Sequence, residues 1–63
     1  MTQTQAILAH LKREPIDPLQ AISHYRCLRL AARISDLRAL GYKIRTDIAH
    51  GSGKHWAVYR LVR

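Results

Sequence analysis

Ala6, Ile7, Leu8 and Leu11 recur at helical spacing, and Thr2 followed by Gln5 fits a reciprocal N-terminal cap, so the pattern predicts a first helix over about 3–12. Arg13-Glu14-Pro15 ends it, because the residue before a proline is pushed out of helical geometry. Asp17-Pro18 then restarts a helix: the aspartate can accept from exposed amides, and proline is tolerated at the first helical position. A short second helix over about 18–23 follows, and Ile16, just ahead of the cap, is placed to add one extended residue beside later strands. A third helix is predicted over about 26–40, with Gly41 where a left-handed terminator belongs. At about 100° per residue, Cys27, Leu30, Ala31, Ile34 and Leu37 share one face of it, with Leu40 at the edge. That face is the predicted core side.

Beyond Gly41 the period changes. Tyr42, Ile44 and Thr46 alternate with Lys43, Arg45 and Asp47, and Trp56, Val58 and Leu61 lie in a second run rich in β-branched and aromatic residues. Between the runs His50-Gly51-Ser52-Gly53-Lys54 is a turn with two glycines, so the strands are expected to form an antiparallel hairpin with a flexible, basic tip. Trp56 is expected to anchor the core. The predicted class is α+β: three helices, then a two-stranded antiparallel hairpin.

Composition narrows what such a chain can do. It has 63 residues, 48% of them hydrophobic, which fits one small folded domain over 1–63 rather than a disordered basic tail. At this size folding buries only about 60% of the surface an extended chain exposes, too little for a thin core to enclose a deep substrate cavity. No enzyme activity, no cofactor and no small-molecule substrate are therefore expected. The single cysteine, Cys27, cannot close an internal disulfide. No apolar run approaches the roughly 18 residues of a membrane span, and the first residues do not form a secretory signal. We expect a soluble, cytoplasmic protein. Eleven Lys and Arg against four Asp and Glu leave a net charge of +7. On a small folded body that excess points to a polyanion, since each neutralised phosphate releases counterions.

The run Arg29-Leu30-Ala31-Ala32-Arg33-Ile34-Ser35-Asp36-Leu37-Arg38-Ala39-Leu40-Gly41-Tyr42-Lys43-Ile44 resembles the third helix and first wing strand of small winged helix-turn-helix proteins of phages and prophages. The order of elements resembles the same family over nearly the whole chain, although the dimerisation helix or effector domain that many members add after the wing is not expected here. The resemblance implies a double-stranded DNA partner, a role in transcription regulation or as a phage accessory factor, and a bacterial or phage-infected cell as its setting.

On this reading the third helix enters the major groove, which admits one α-helix. A helix over 26–40 would present Arg26, Arg29 and Arg33 within about 60° of one another, as guanidinium forks for guanine or phosphate. Ser35 could donate to a base or a phosphate, and Ala32 is small enough to let the helix approach. Arg38 falls near Ala31 and Cys27, where it could lie along the core or pair with Asp17. The hairpin tip, with His50, Ser52, Lys54 and His55, is the second expected contact, on the backbone or in the minor groove. Tyr25, at the start of the third helix, could reach the DNA backbone or pack in the core. Lys43, Arg45, Arg60 and Arg63 spread charge over the sheet. Useful specificity calls for a dimer or for tandem sites, because one copy covers a small footprint.

Other chemistry finds little support. Gly51-Ser52-Gly53-Lys54 lacks the first glycine and the final Ser or Thr of a nucleotide-binding loop, and a strand rather than a helix follows it. His50, His55 and Cys27 do not make a closed four-ligand zinc set, and no metal site is expected. The four carboxylates Glu14, Asp17, Asp36 and Asp47 are dispersed. Asp36 on the presumed groove face keeps a rival open, because a carboxylate near phosphate is unfavourable unless paired: the same fold could dock on an acidic host or phage protein. RNA is less favoured, since few aromatics are left over to stack on bases.

Overall fold

The computed structural model describes residues 2–62. In chain order it contains α1 (Gln3–Leu11), α2 (Pro18–Tyr25), α3 (Leu30–Ala39), β1 (Ile44–Gly51) and β2 (Lys54–Leu61). Both predicted caps form. The Thr2 hydroxyl accepts from the Gln5 amide at 3.1 Å while the Gln5 side chain accepts from the Thr2 amide at 3.0 Å. Asp17 and Gln20 repeat the exchange at the start of α2, at 2.7 and 3.2 Å. Each box satisfies amides that a helix cannot satisfy itself.

The third helix differs from its expected span. α2 runs two residues further, to Tyr25, and stops at Arg26, which adopts the left-handed conformation (φ 52°, ψ 33°). The Arg26 amide donates to Ile22 and the Cys27 amide to Ala21, so the chain folds back over the end of α2 before α3 begins at Leu30. Nothing in the sequence advertises this break, because the left-handed position is filled by arginine instead of glycine or asparagine. The far end of α3 behaves as predicted. Gly41 (φ 102°) closes it, with Gly41 donating to Arg38 and Tyr42 to Leu37 in the double-bonded glycine terminator.

β1 and β2 pair antiparallel from Ile44 opposite Leu61 to Gly51 opposite Lys54. Only Ser52 and Gly53 remain for the turn, both at positive φ (50° and 74°), the type I′ geometry whose twist suits a hairpin. His50, Gly51 and Lys54 thus belong to the strands. Ile16 joins as expected: its amide donates to the Tyr59 carbonyl at 3.0 Å and its carbonyl accepts from the Tyr59 amide at 2.8 Å. β2 is therefore flanked on both sides, by Ile16 and by β1.

The core is made by Ile7 and Leu11 of α1, Ile16, Ala21 of α2, Cys27 of the turn, Leu30, Ile34 and Leu37 of α3, and Ile44 of β1, with Leu8, Tyr25, Tyr59 and Leu61 packed on it. Cys27 is buried as expected, but from the turn. Ala31 is exposed; in a helix that begins at Leu30 it falls outside the buried 30/34/37 stripe. Trp56 is not a core anchor. Paired residues share a face of an antiparallel sheet, so Ile44, Tyr59 and Leu61 face the core while Trp56 and Val58 lie on the other face, and Trp56 remains 39% exposed.

One polar side chain, His10, is buried among the described residues. The Pro15 carbonyl, 3.1 Å from its Nε2, can only accept, so Nε2 donates to it, while Nδ1 shares a hydrogen bond of 2.8 Å with the Tyr25 hydroxyl. Glu14 stands 3.3 Å from the same Nε2. This contact ties α1, the following loop and the end of α2 together.

Ile34→Ala, at a 1% exposed position, should lower stability by about 2–5 kcal/mol, whereas Leu40→Ala, at a 72% exposed position, should stay within about 0.5 kcal/mol of the parent; urea unfolding followed by circular dichroism measures both.

Candidate nucleic-acid interface

Among the described residues every carboxylate is engaged inside the chain. Asp17 caps α2, Glu14 lies beside His10, and Asp36 sits 3.1 Å from Nε of Arg33. Asp47 is held by two arginines, Arg60 across the hairpin at 3.2 Å and Arg45 of its own strand at 3.1 Å. The Arg60 hydrogen bond first, and then that of Arg45, hold the Asp47 carboxyl below its ordinary range. With its acids occupied the surface keeps its positive excess. The side chains of Arg13, Arg26, Arg29, Lys43 and Lys54 are exposed and make no hydrogen bond or ion pair among the described residues.

The expected site residues separate into groups. Arg26 and Arg29 flank the turn between α2 and α3: Arg26 is the left-handed cap of α2, and Arg29 is the first residue before α3. Neither lies on the third helix, so the expected ridge of Arg26, Arg29 and Arg33 along one helical face does not exist. Arg33 is helical but 32% exposed, and its Nε, close to Asp36, lacks an aligned hydrogen bond; the pairing there is Coulombic. The exposed side of α3 consists of Ala31, Ser35, Asp36, Arg38 and Ala39, while Ala32 is half-buried. Tyr25 is half-buried, with its hydroxyl committed to His10. Arg63 lies outside the described residues.

The start of α3 has a property the sequence pattern did not reveal. α1 and α2 are closed by capping boxes, but Arg29 caps α3 through no side-chain hydrogen bond, and no acidic residue occupies its first turn. The Arg29 carbonyl takes the amides of Ala32 and Arg33, which leaves those of Leu30 and Ala31 at the open end. A helix N-terminus carries about half a positive charge and accepts anions readily. Here it is flanked by two unpaired guanidiniums. No Ser, Thr, Asp or Asn stands just before Leu30, so the sequence carries no signal that marks it.

At the other end of the hairpin, Ser52 occupies the turn, His50 and His55 face each other across the strands with ring centroids 6.1 Å apart, and Lys54 opposes Gly51. The tip residues are thus brought together as expected. Arg38 is not. It does not pair with Asp17; its guanidinium donates to the Ile44 carbonyl at 2.7 Å and to the Thr46 hydroxyl at 3.1 Å, fastening α3 to β1.

A family model described as a winged helix-turn-helix domain matches residues 2–63. The chain belongs to the winged helix-turn-helix family. No curated protein and no solved structure is significantly similar to it. In winged-helix terms α2, the turn at Arg26 and α3 form the helix-turn-helix, and the β1–β2 hairpin is the wing, in a family with a DNA-binding role. Between the helix-turn-helix and the wing, Pro18, Leu19 and Ile22 of α2 and Trp56 of the wing line an open apolar groove of about 440 Å³, with Asp17 at its margin. No group of three or more described His, Cys, Asp or Glu residues could hold a metal ion, and no helix among the described residues is long and apolar enough to cross a membrane.

Two consequences are measurable. Arg26→Gly removes a side chain from a left-handed position and should stabilise the winged helix by about 1 kcal/mol, read as a higher thermal midpoint. Asp47 binds its proton less readily folded than unfolded, so its contribution is present above the ordinary carboxylate range and is lost as pH falls through the depressed value. Between about pH 5 and pH 2, Asp47→Asn should therefore flatten the acid-side loss of thermal midpoint relative to the parent.

Proposed function

We propose that this winged helix binds double-stranded DNA in a sequence-specific manner, as a small transcriptional regulator or phage accessory factor in the bacterial cytoplasm, with residues 1–63 acting as one DNA-binding domain. The observation that carries the reading is the start of α3: an uncapped helix N-terminus with Arg26 and Arg29 exposed and unpaired beside it. This arrangement supports a docking mode in which α3 enters the major groove end-on, its first amides and the two guanidiniums on phosphate or guanine. Arg29 is the first residue of this contact. The low profile of Ala31, Ser35 and Ala39 lets the helix backbone approach the base edges, where Ser35 has a hydroxyl to offer. Arg33 neutralises Asp36, which would otherwise repel the duplex.

The hairpin supplies the second contact. Lys54, His50, His55 and Ser52 lie at a tip whose two-residue turn is narrow enough to follow a phosphate strand or enter the minor groove. The net charge of +7 adds long-range attraction that salt screens. Two copies, as a dimer or on tandem sites, give a footprint large enough for useful selectivity.

One observation favours a second reading. The groove of Leu19, Ile22 and Trp56 is an apolar surface that a polar duplex does not need, and on a body of net charge +7 it suits a winged helix that docks on an acidic host or phage protein.

Anisotropy titration of a labelled duplex across a salt series decides the matter. We expect Arg29→Ala and Lys54→Ala each to weaken binding and to lower the log-log salt slope by about 1, and the duplex to compete better than single strands or duplex RNA. No binding even at low salt, or slopes unmoved by both substitutions, would sink the proposal; capture of one stoichiometric protein that survives nuclease treatment would replace it with the second reading.

A further inference from the structure

The two sides of the sheet end differently. β2 is paired on both flanks, by Ile16 and by β1, and α1 and α2 pack on it. Among the described residues β1 has one strand neighbour. The Lys43 carbonyl accepts from Val62 and the Ile44 carbonyl is taken by Arg38, which sets the alternation: backbone groups of Lys43, Arg45, Asp47 and Ala49 point toward β2, and those of Ile44, Thr46, Ile48 and His50 point outward. Arg38 covers the outward group of Ile44. The outward amides and carbonyls of Thr46, Ile48 and His50 have no partner among the described residues.

Unpaired edges are commonly blunted by proline, lysine or a bulge. β1 has none of these: its register with β2 is continuous, it contains no proline or lysine, and its two charges, Arg45 and Asp47, are of opposite sign and stand 3.1 Å apart. At the middle of the open stretch stands Ile48, 54% exposed. We propose that β1 is a self-association edge, along which two copies of this chain join antiparallel about a two-fold axis at Ile48 into one continuous four-stranded sheet.

The charges select that register. Centring the pair on Ile48 puts Thr46 opposite His50 of the second copy, Asp47 opposite its Ala49 and Arg45 opposite its Gly51, so no like charges meet. Three outward residue pairs then exchange backbone hydrogen bonds, with the two Ile48 side chains adjacent on one face. A shift of one residue toward the strand start sets Asp47 against Asp47 at about 4.5 Å between Cα atoms. A further shift requires the Ile44 carbonyl that Arg38 holds. Shifts the other way run into Ser52, whose positive φ leaves extended geometry. Since each copy carries +7, salt should strengthen this association while it weakens DNA binding, which makes the two separable.

Sedimentation velocity from about 10 μM to about 1 mM should show a reversible monomer–dimer equilibrium that shifts toward dimer at higher salt. Ile48→Pro deletes an outward amide without touching the ladder to β2, so it should weaken the dimer at least about ten-fold while the circular dichroism spectrum is kept. Ile48→Lys, with its backbone intact, should do the same and covers the case in which the proline variant fails to fold. Under mild oxidation Ile48→Cys should cross-link in high yield, because the opposed Cα atoms of such a pair lie about 5.5 Å apart, and Asp47→Cys should not. A monomer throughout the range, a dimer indifferent to both Ile48→Pro and Ile48→Lys, or cross-linking by Asp47→Cys as ready as by Ile48→Cys would each overturn the assignment, whatever the DNA titration shows.

Discussion

The arrangement of this molecule depends on one left-handed residue. Were Arg26 helical, α2 would run on into α3, Cys27 would lie on a helix surface and the arginines would line up along a rod. Instead the reversal at Arg26 carries Cys27 into the core and lets Leu30, Ile34 and Leu37 approach α1 from a new direction. It also leaves α3 to begin without a cap. A conformation that costs about 1 kcal/mol for any residue with a side chain thereby creates the open helix end on which the proposed recognition rests.

Charge is organised on the same economy. Four carboxylates cannot balance eleven cations, and each acid is placed where it settles a local need: a helix cap, a buried imidazole, a guanidinium on α3, a pair of arginines on the wing. The cations left over stand at the turn before α3, at the wing tip, after α1 and before β1. Arg38 shows that charge alone does not identify a contact residue: it holds α3 against β1 through a carbonyl and a hydroxyl.

Much of this was readable from residues whose roles are local. Thr2 with Gln5, Asp17 with Pro18, and Gly41 mark helix ends because their side chains or their freedom of φ act on the nearest few amides, and the two glycines within 50–54 mark the turn for the same reason, though not its two-residue length. Ile16 was placed beside the sheet by its position ahead of the cap. What stayed hidden was set by contacts distant in sequence. The start of α3 is hidden because arginine takes the left-handed place that glycine usually signals. The sequence does not place Trp56, because an aromatic in a strand names no face; the pairing of Tyr59 with Ile16 decides the parity and turns the indole away from the core. Arg26 and Arg29 come together through a loop instead of a helix face, and Tyr25 answers to a histidine fifteen positions away.

The turn that joins the two strands has an implication for how this arm can change. With only Ser52 and Gly53 outside the ladder, inserting one residue into either strand would reverse the orientation of every side chain beyond it, sending His50 or Lys54 to the opposite surface. Growth that preserves the present faces must add residues two to a strand. The arm can therefore lengthen only in increments of about 7 Å, so its reach along a binding partner is quantised by the pleat.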